Sequence, residues 1–250
     1  STRAVRDGDN YVINGRKLWT TTAQTANKIL LIVRTTALAD CKKPTDGLSL
    51  FYTNLNRDQI EVRAIAKMGR KAVDSNALFI DNLVVPVADR IGEEGQGWKY
   101  LLHGLNPERI LIAAEAVGLG QVALERASHY ASERVVFGRT IGKNQGIQHP
   151  LAENWMELEA AQLMVQKAAS LYDAGKPCGA EANAAKYLAA EAGLRACQRA
   201  VLTHGGMGYA KEYHVERYLR EIMIPVIAPV SQELVKSFIA EQVLGQEKSY

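Results

Sequence analysis

The chain has 250 residues, of which 47% are hydrophobic and 23% are charged, as in a typical soluble globular protein. Its length leaves room for about two domains. Residues 1–90 contain 14 basic and 9 acidic residues, a charge of +5, and the other 16 basic and 18 acidic residues give −2. Neither charge indicates a nucleic-acid-binding surface. No apolar run reaches the roughly 18 residues of a membrane span, so we expect none.

The spacing of cysteine and histidine argues against a metal site. Cys41, Cys178 and Cys197 are scattered, which predicts free thiols in a reducing compartment. The five histidines form no HExxH or similar pattern, and neither a GxSxG nor a Walker motif occurs. We therefore expect neither a metal centre nor a serine hydrolase.

Residues up to about 92 predict β structure. Tyr11-Val12-Ile13 leads into Asn14-Gly15, a strong hairpin signal, with residues 17–21 as the second strand. Residues 29–33 form a continuous apolar run, which predicts a strand buried on both faces. Further strands are predicted at 48–52 and 77–80. Short strands separated by turns predict a small β-barrel or sandwich.

From Trp98 onward the pattern becomes helical. Helices are predicted at about 98–134, 148–174 and 180–203, followed by two shorter ones broken around Pro225 and Pro229. In the second helix one face carries Leu151, Trp155, Leu158, Val165 and Tyr172. These helices predict an antiparallel four-helix bundle after the β module. The sequence thus predicts an α+β fold with domains at residues 1–92 and 93–250.

Glu108 interrupts an apolar face of the first long helix, which includes Leu105 and Ile112. Burial disfavours the charged form of a carboxylate and makes it a better proton acceptor near neutral pH. The alternative is an ion pair with Arg109 on a solvated edge. These residues alone favour the ion pair on a solvated edge, and the buried carboxylate stays open as the other interpretation.

Three other features are compatible with ligand binding. Residues 205–209 (GGMGY) follow the third helix, where glycines either admit a ligand close to the backbone or simply cap the helix. Arg134, with Phe137 nearby, suits a pyrophosphate and an aromatic base, although basic residues also favour helix C-termini. Trp19 either covers a planar cofactor or belongs to the core of the β module.

Taken in order, these motifs resemble the middle and C-terminal domains of acyl-CoA dehydrogenases. The matching segments are residues 14–21 (NGRKLWTT), 81–86 and 92–97, then Glu133-Arg134 with Phe137-Gly138, Gln145 and residues 204–209 (HGGMGY). The resemblance covers nearly the whole chain and depends on the ordered set. It agrees with the β module and helical bundle predicted from the patterns alone.

One departure from the family is large. Its N-terminal helical domain and the Thr-Glu-Pro-x-Ala-Gly-Ser-Asp stretch that follows are not in this sequence. Ser1 corresponds to a position just after that stretch. We therefore expect the chain to be a fragment or one piece of a longer protein.

The resemblance implies FAD as the cofactor and an acyl-CoA thioester as the substrate, which loses an α-proton to a base and a β-hydride to flavin N5. Most members carry the base in a Tyr-Glu-Gly-Thr segment, but here Ala228-Pro229-Val230-Ser231 contains no acid. The isovaleryl-CoA and long-chain types carry it on the first helix of the C-terminal domain. That position is Glu108, so the resemblance implies Glu108 as the catalytic base.

The resemblance implies binding roles as well. The flavin ring would be contacted by Trp19, Thr21 and Ser231. The adenine and pyrophosphate of a neighbouring subunit's FAD would be held by Arg134, Phe137, Gln145, Gly205 and Gly206. The substrate would be bound by Asn106, Arg109 and the Val230 N–H, because Pro229 has no N–H to donate. Leu202 replaces a frequent glutamine and so removes one contact with FAD.

The same resemblance implies a homodimer or homotetramer, an electron-transfer flavoprotein as electron acceptor, and a role in the β-oxidation of fatty acids. The implied location is the bacterial cytoplasm or the mitochondrial matrix. Two alternatives stay open: a flavin oxidase or monooxygenase of the same fold, and a non-catalytic truncated fragment. Reoxidation of the flavin in air distinguishes the first, and a flavin spectrum argues against the second.

Overall fold

The computed structural model describes residues 2–248. By its internal contacts the chain forms two compact units, Ser1–Gly104 and Leu105–Tyr250, here called the β unit and the helical unit. The predicted α+β fold is confirmed. The division describes packing only, and the predicted domain boundary between residues 92 and 93 stays a prediction.

The strands of the β unit form one seven-stranded sheet in the order β5-β6-β2-β1-β3-β4-β7. Their bounds are Arg3–Asp7 (β1), Asn10–Thr21 (β2), Lys28–Arg34 (β3), Leu48–Asn54 (β4), Ile60–Ala64 (β5), Ser75–Pro86 (β6) and Arg90–Ile91 (β7). The predicted strands at 29–33, 48–52 and 77–80 lie within β3, β4 and β6.

Two antiparallel blocks, β5-β6-β2-β1 and β3-β4-β7, make up this sheet. A parallel seam joins them, where Arg3 of β1 pairs with Arg34 of β3. Both blocks contribute to one apolar core, since the rings of Tyr11 and Phe51 meet edge to face with centroids 5.0 Å apart. A core shared between two blocks of strands is what a barrel or sandwich requires.

The hairpin predicted at Asn14-Gly15 is wrong. Strand β2 runs straight through this dipeptide, and its pairing with β6 shifts register just after Ile13. The Asn14 side chain bridges the irregularity by accepting the Asn82 N–H at 2.8 Å. The chain turns instead at Gly8-Asp9, between β1 and β2, where Gly8 has a φ of +57°.

The prediction that residues 29–33 are buried on both faces is also wrong. Ile29 and Leu31 point into the core, whereas Leu30 is 51% exposed. A continuous apolar run therefore lies on a strand with one face in the core. Hydrophobicity alone does not distinguish this arrangement from a strand covered on both sides.

Helices dominate the rest of the described chain. Their bounds are Gly97–Glu133 (α1), Gln145–Asp173 (α2), Gly179–His204 (α3), Val215–Ile227 (α4) and Gln232–Gln242 (α5). A small hairpin, Val135–Val136 (β8) and Arg139–Thr140 (β9), lies between α1 and α2. The three long helices and two shorter ones agree with the predicted segments, and α3 packs against α2, α4 and α5.

Small residues allow α1 and α3 to pack closely. A Cβ on Gly193 would lie 2.7 Å from the Ala116 carbonyl oxygen, closer than side chains normally approach. A Cβ on Gly120 would lie 3.0 Å from the Cα of Gly193. Glycine at these positions is what permits the helix contact.

The predicted apolar face of α2 is only partly correct. Leu158 is 1% exposed and Val165 is also buried, but Trp155 is 57% exposed and Tyr172 is exposed too. At about 100° per residue, Trp155 lies about 60° from Leu158 on one side and Tyr172 about 40° on the other. Both therefore lie at the edges of the buried stripe.

Segment 215–242 is long and apolar enough, by composition, to cross a membrane. In the structure it is two helices, α4 with 13 residues and α5 with 11, separated by residues 228–231. At 1.5 Å per residue these are about 20 Å and 17 Å long. Each is shorter than the ~30 Å hydrocarbon layer of a bilayer.

Candidate active site

In the β unit, Trp19 and Thr21 lie at an irregular part of β2. The pairing of β2 with β6 shifts register again between Lys17 and Thr20, and Trp19 has a φ of +62°. Its indole is 63% exposed, so it is not the core residue that was the alternative prediction. Bulges of this kind redirect side chains next to functional sites.

Asn76 holds this bulge in place and was not found from the sequence. Its buried side-chain amide donates to the Thr20 carbonyl at 3.0 Å. Its oxygen accepts from the Gln24 side chain at 2.8 Å. Because Thr20 lies between Trp19 and Thr21, this buried amide fixes the backbone that carries both predicted flavin contacts.

In the helical unit, Phe137 lies at the tip of the β8–β9 hairpin and is fully exposed. Phe137 and Gly138 both have positive φ values, +53° and +76°, as the central residues of a type I′ turn require. An aromatic residue in this conformation is uncommon, and here no contact within the described chain covers its ring. Phe137 is therefore available to a ligand or to another subunit.

The other predicted FAD contacts lie near this hairpin. Arg134 directly follows α1, and its carbonyl accepts the Ile141 N–H at 2.9 Å, which ties the hairpin back to the helix end. Gln145 is the first residue of α2. Both side chains are exposed.

Stacked rings bring the ends of α1 and α3 together. Tyr130 of α1 stacks on His204 of α3 with centroids 4.3 Å apart, and Tyr213 packs edge-on against both. Nδ1 of His204 donates to the Ala200 carbonyl at 2.8 Å, and burial lowers the pKa of this histidine. Because Arg134 follows Tyr130 by one helical turn and Gly205 follows His204, the ring cluster places the predicted pyrophosphate contacts at neighbouring helix ends.

The glycine run ends α3 and leaves open space beside two of its residues. Gly205 is the C-cap of α3 and has a φ of +60°, which glycine adopts without steric cost. A Cβ on Gly205 or Gly206 would meet no atom of this chain within 4 Å. Gly208 differs, because a Cβ there would lie 2.3 Å from the Val201 carbonyl oxygen. Open space over two exposed glycines fits a phosphate-bearing cofactor such as FAD.

Glu108 is not the buried carboxylate considered from the sequence, and its position agrees with the solvated edge that was the other interpretation. Glu108 is exposed, while Ile110, Ala113 and Val117 form the buried face of α1. These residues lie about 140–200° around the helix from Glu108, because each residue advances the helix by about 100°. The stripe identified in the sequence is the half-exposed side of α1, so Glu108 is a solvent-accessible carboxylate.

Next to it, Arg109 is partly buried and incompletely bonded. Its Nη1 donates to the Asn106 side chain at 2.9 Å, whereas its buried Nε has no partner among residues 2–248. Burial lowers the pKa of Arg109, and the Glu108 carboxylate partly offsets this effect. A buried donor without a partner fits a site that receives a polar ligand.

The four residues between α4 and α5 contain the proposed thioester donor. Val230 is half-buried, and its N–H has no hydrogen-bond partner within the described part of the chain. Ser231 is the N-cap of α5, where its hydroxyl oxygen accepts the Leu234 N–H at 3.3 Å. The predicted contact of Ser231 with flavin stays a prediction.

Lys186 of α3 is the main residue of this region that the sequence did not reveal. It has no exposed surface, and its Nζ donates to the Val226 and Val230 carbonyls at 3.2 and 2.6 Å. Burial lowers the pKa of Lys186 to about 8, and the charge of Arg109 adds to the decrease. The structure thus joins Val230 to a buried lysine whose pKa also responds to Arg109, the hydrogen-bond partner of Asn106.

Comparison with known proteins matches the chain to two domains of a single protein family. The model of the acyl-CoA dehydrogenase middle domain matches residues 1–83, and that of the C-terminal domain matches residues 95–244. Acyl-CoA dehydrogenase FadE12 of Mycobacterium tuberculosis (strain H37Rv) is 39% identical over 100% of this chain and 64% of its own length. The probable acyl-CoA dehydrogenase YngJ of Bacillus subtilis is 38% identical over 97% of this chain and 63% of its own.

Among solved structures, an acyl-CoA dehydrogenase from Geobacillus kaustophilus matches with a TM-score of 0.93 and 32% identity, over 97% of this chain and 64% of that one. The chain spans about 64% of the length of the curated relatives it matches first. Because the two family models together match most of its residues, the chain belongs to the acyl-CoA dehydrogenase family of flavin-dependent oxidoreductases.

Proposed function

We propose that this protein is an FAD-dependent acyl-CoA dehydrogenase that introduces an α,β double bond into an acyl-CoA thioester, with Glu108 as the base. The proposal depends on two features of this chain taken together. The connection 228–231 contains no acid, whereas α1 presents an accessible carboxylate beside the incompletely bonded Arg109.

Glu108 would accept the α-proton. Its exposure leaves the carboxylate reachable by a substrate, and general-base catalysis of this kind contributes about 10²–10⁴-fold in rate. Arg109 and Asn106 would bind polar groups of the substrate, because the buried Nε of Arg109 lacks a partner within the described residues. The proton thus moves from carbon to a carboxylate whose neighbours hold the thioester in place.

The Val230 N–H would donate to the thioester carbonyl. Such a donor acidifies the α-proton and stabilises the enolate that forms as it leaves. Pro229 has no N–H, and the N–H of Val230 is not used within the described chain. These facts support Val230 as the donor residue.

FAD fits the residues present. In the β unit, Trp19 and Thr21 would contact the flavin ring, and Ser231 is a further proposed flavin contact. The adenine and pyrophosphate would be held by Arg134, Phe137, Gln145, Gly205 and Gly206, where open space and exposed groups are found. When bound, FAD supplies the acceptor for the β-hydride.

The test is Glu108→Gln in the FAD-loaded protein, with Glu125→Gln, at a second exposed glutamate of α1, as the matched control. Glutamine keeps the shape of the side chain but does not accept a proton. We expect flavin bleaching by acyl-CoA to slow by about 10²–10⁴-fold in the first variant, with CoA-ester binding retained, and to stay near normal in the control. Near-normal bleaching by Glu108→Gln would show that another group is the base.

The assembly and the electron acceptor belong to the same proposal. We propose a homodimer or homotetramer, an electron-transfer flavoprotein as acceptor, a role in β-oxidation, and a location in the bacterial cytoplasm or mitochondrial matrix. The fully exposed Phe137 supports an intersubunit contact. Rapid reoxidation of the reduced flavin by air would instead indicate an oxidase or monooxygenase, and a colourless protein that binds no FAD would indicate a non-catalytic fragment.

A further inference from the structure

Lys186 is an unusual residue for the middle of a packed helix. Lysine is almost never fully buried unless it is paired, yet this side chain has no exposed surface and belongs to the buried, alanine-rich side of α3. Burying a charge costs free energy unless it is paired and hydrogen-bonded, and the hydrogen-bond partners of Lys186 are neutral carbonyls. The charge therefore calls for an explanation other than stability.

Its two hydrogen bonds span the connection between α4 and α5. Val226, which accepts at 3.2 Å, lies in the last turn of α4, where carbonyl groups have no partner within the helix. Val230, which accepts at 2.6 Å, directly precedes the N-cap of α5. A cation also suits the negative end of the α4 dipole. One ammonium group thus binds a carbonyl just before residues 228–231, at Val226, and another within them, at Val230.

This arrangement leaves the Val230 backbone fixed on both sides. Before it, the Ala228 N–H donates to the Ile224 carbonyl at 2.8 Å. After it, the Val230 carbonyl is bound by Lys186 and Ser231 caps α5. The Val230 N–H lies between these fixed points and has no partner among the described residues.

We propose that Lys186 is a positioning residue, which fixes the 228–231 connection through the Val226 and Val230 carbonyls so that the Val230 N–H is held ready for the thioester oxygen. This inference rests on the proposed function. It gives a reason for a buried ammonium whose hydrogen bonds go to two backbone carbonyls, because an oxyanion donor is effective only if it is already oriented.

The charges around Lys186 give this role a pH dependence. Burial lowers its pKa to about 8, with Arg109 on α1 adding to the decrease and Glu233 on α5 opposing it. Above this pH the neutral amine makes weaker hydrogen bonds to the carbonyls than the ammonium does. The rate of flavin reduction should therefore decline as the pH rises past about 8.

The test is Lys186→Met in the FAD-loaded protein, with Lys236→Met on α5 as the control for loss of an exposed lysine. Methionine keeps length and apolar contacts. We expect FAD content and KM to change little, while the rate constant of flavin reduction by acyl-CoA falls roughly 10²-fold, the typical effect of a 1 Å misplacement. The decline above pH 8 should be absent from Lys186→Met and present in the control.

The outcomes separate the two proposals. Lys186→Met with a normal rate and an unchanged pH profile would overturn the positioning role alone. If that variant does not fold, the unaltered protein still decides, because a rate that is flat between pH 7 and 9 would also overturn it. Failure of any acyl-CoA to reduce the flavin of the unaltered protein would overturn the proposed function and this inference together.

Discussion

Alanine substitutions at Gly206 and Gly208, only two residues apart, are expected to change different properties of the protein. A Cβ at Gly206 meets no atom of the chain within 4 Å, and this residue does not have the positive φ that favours glycine. A Cβ at Gly208 would lie 2.3 Å from the Val201 carbonyl oxygen, which belongs to the backbone and cannot rotate away. The first substitution fills space that we assign to FAD, and the second disrupts packing.

The magnitudes follow from these contacts. Gly206→Ala should leave the free energy of unfolding unchanged or raise it by up to about 1 kcal/mol, because alanine restricts the unfolded chain. Losing one backbone hydrogen bond to a phosphate costs about 1.5–3 kcal/mol, roughly a 10- to 150-fold loss in FAD affinity. Gly208→Ala should lower stability by about 1–3 kcal/mol, since backbone must shift.

Two measurements on each variant check this reasoning. Urea unfolding of the FAD-free protein gives stability, and a loss of about 2 kcal/mol moves the midpoint by about 1 M when the slope is about 2 kcal/mol per M. Titration with FAD, followed by flavin fluorescence, gives affinity. Wild-type FAD affinity in Gly206→Ala would refute the assignment of that space, and wild-type stability in Gly208→Ala would refute the packing argument.

Two further predictions concern the helical unit. Arg134→Ala should weaken FAD binding by roughly 10- to 150-fold in the same titration, because a charge-assisted contact is lost. An equal loss of affinity in Arg139→Ala, on the same hairpin, would mean that the positive charge of the hairpin as a whole, and not a specific contact of Arg134, binds FAD. Leu158→Ala should lower the free energy of unfolding by about 2–5 kcal/mol, because Leu158 is 1% exposed. Trp155→Ala, at a 57% exposed site, should change it by less than about 1 kcal/mol, and a larger loss would show that Trp155 is packed.

Much of the architecture could be predicted from the sequence, because long periodic helices and apolar strands leave clear patterns. The wrong predictions concern residues whose conformation or burial depends on contacts with segments distant in the sequence. Asn14-Gly15 has the composition of a turn, yet β2 continues through it because Asn82 of β6 pairs with the Asn14 side chain. The apolar residue Leu30 is exposed because one face of β3 is left uncovered within the described chain.

The candidate site was less predictable, because its chemistry depends on contacts between distant segments. Periodicity placed Glu108 correctly on α1 and within an apolar stripe, but it did not show which stripe is buried, since both sides of that helix carry apolar residues. Lys186 left no signal, because an isolated lysine in an alanine-rich helix normally indicates a solvated face. Only its partners at the end of α4, forty residues along the chain, show that it is buried.

We expect amide hydrogen exchange at the parallel seam between β1 and β3 to differ from exchange inside the antiparallel blocks of the β unit. Across it the Arg34 N–H donates to the Thr2 carbonyl at 3.0 Å, whereas strands inside each block are joined by long antiparallel ladders. A local opening at the seam therefore breaks few hydrogen bonds and leaves both ladders intact, which makes its free-energy cost lower than that of global unfolding. The amide of Arg34 would then exchange with solvent as part of a local fluctuation, while amides in the middle of β2 and β6 stay protected until the whole unit opens.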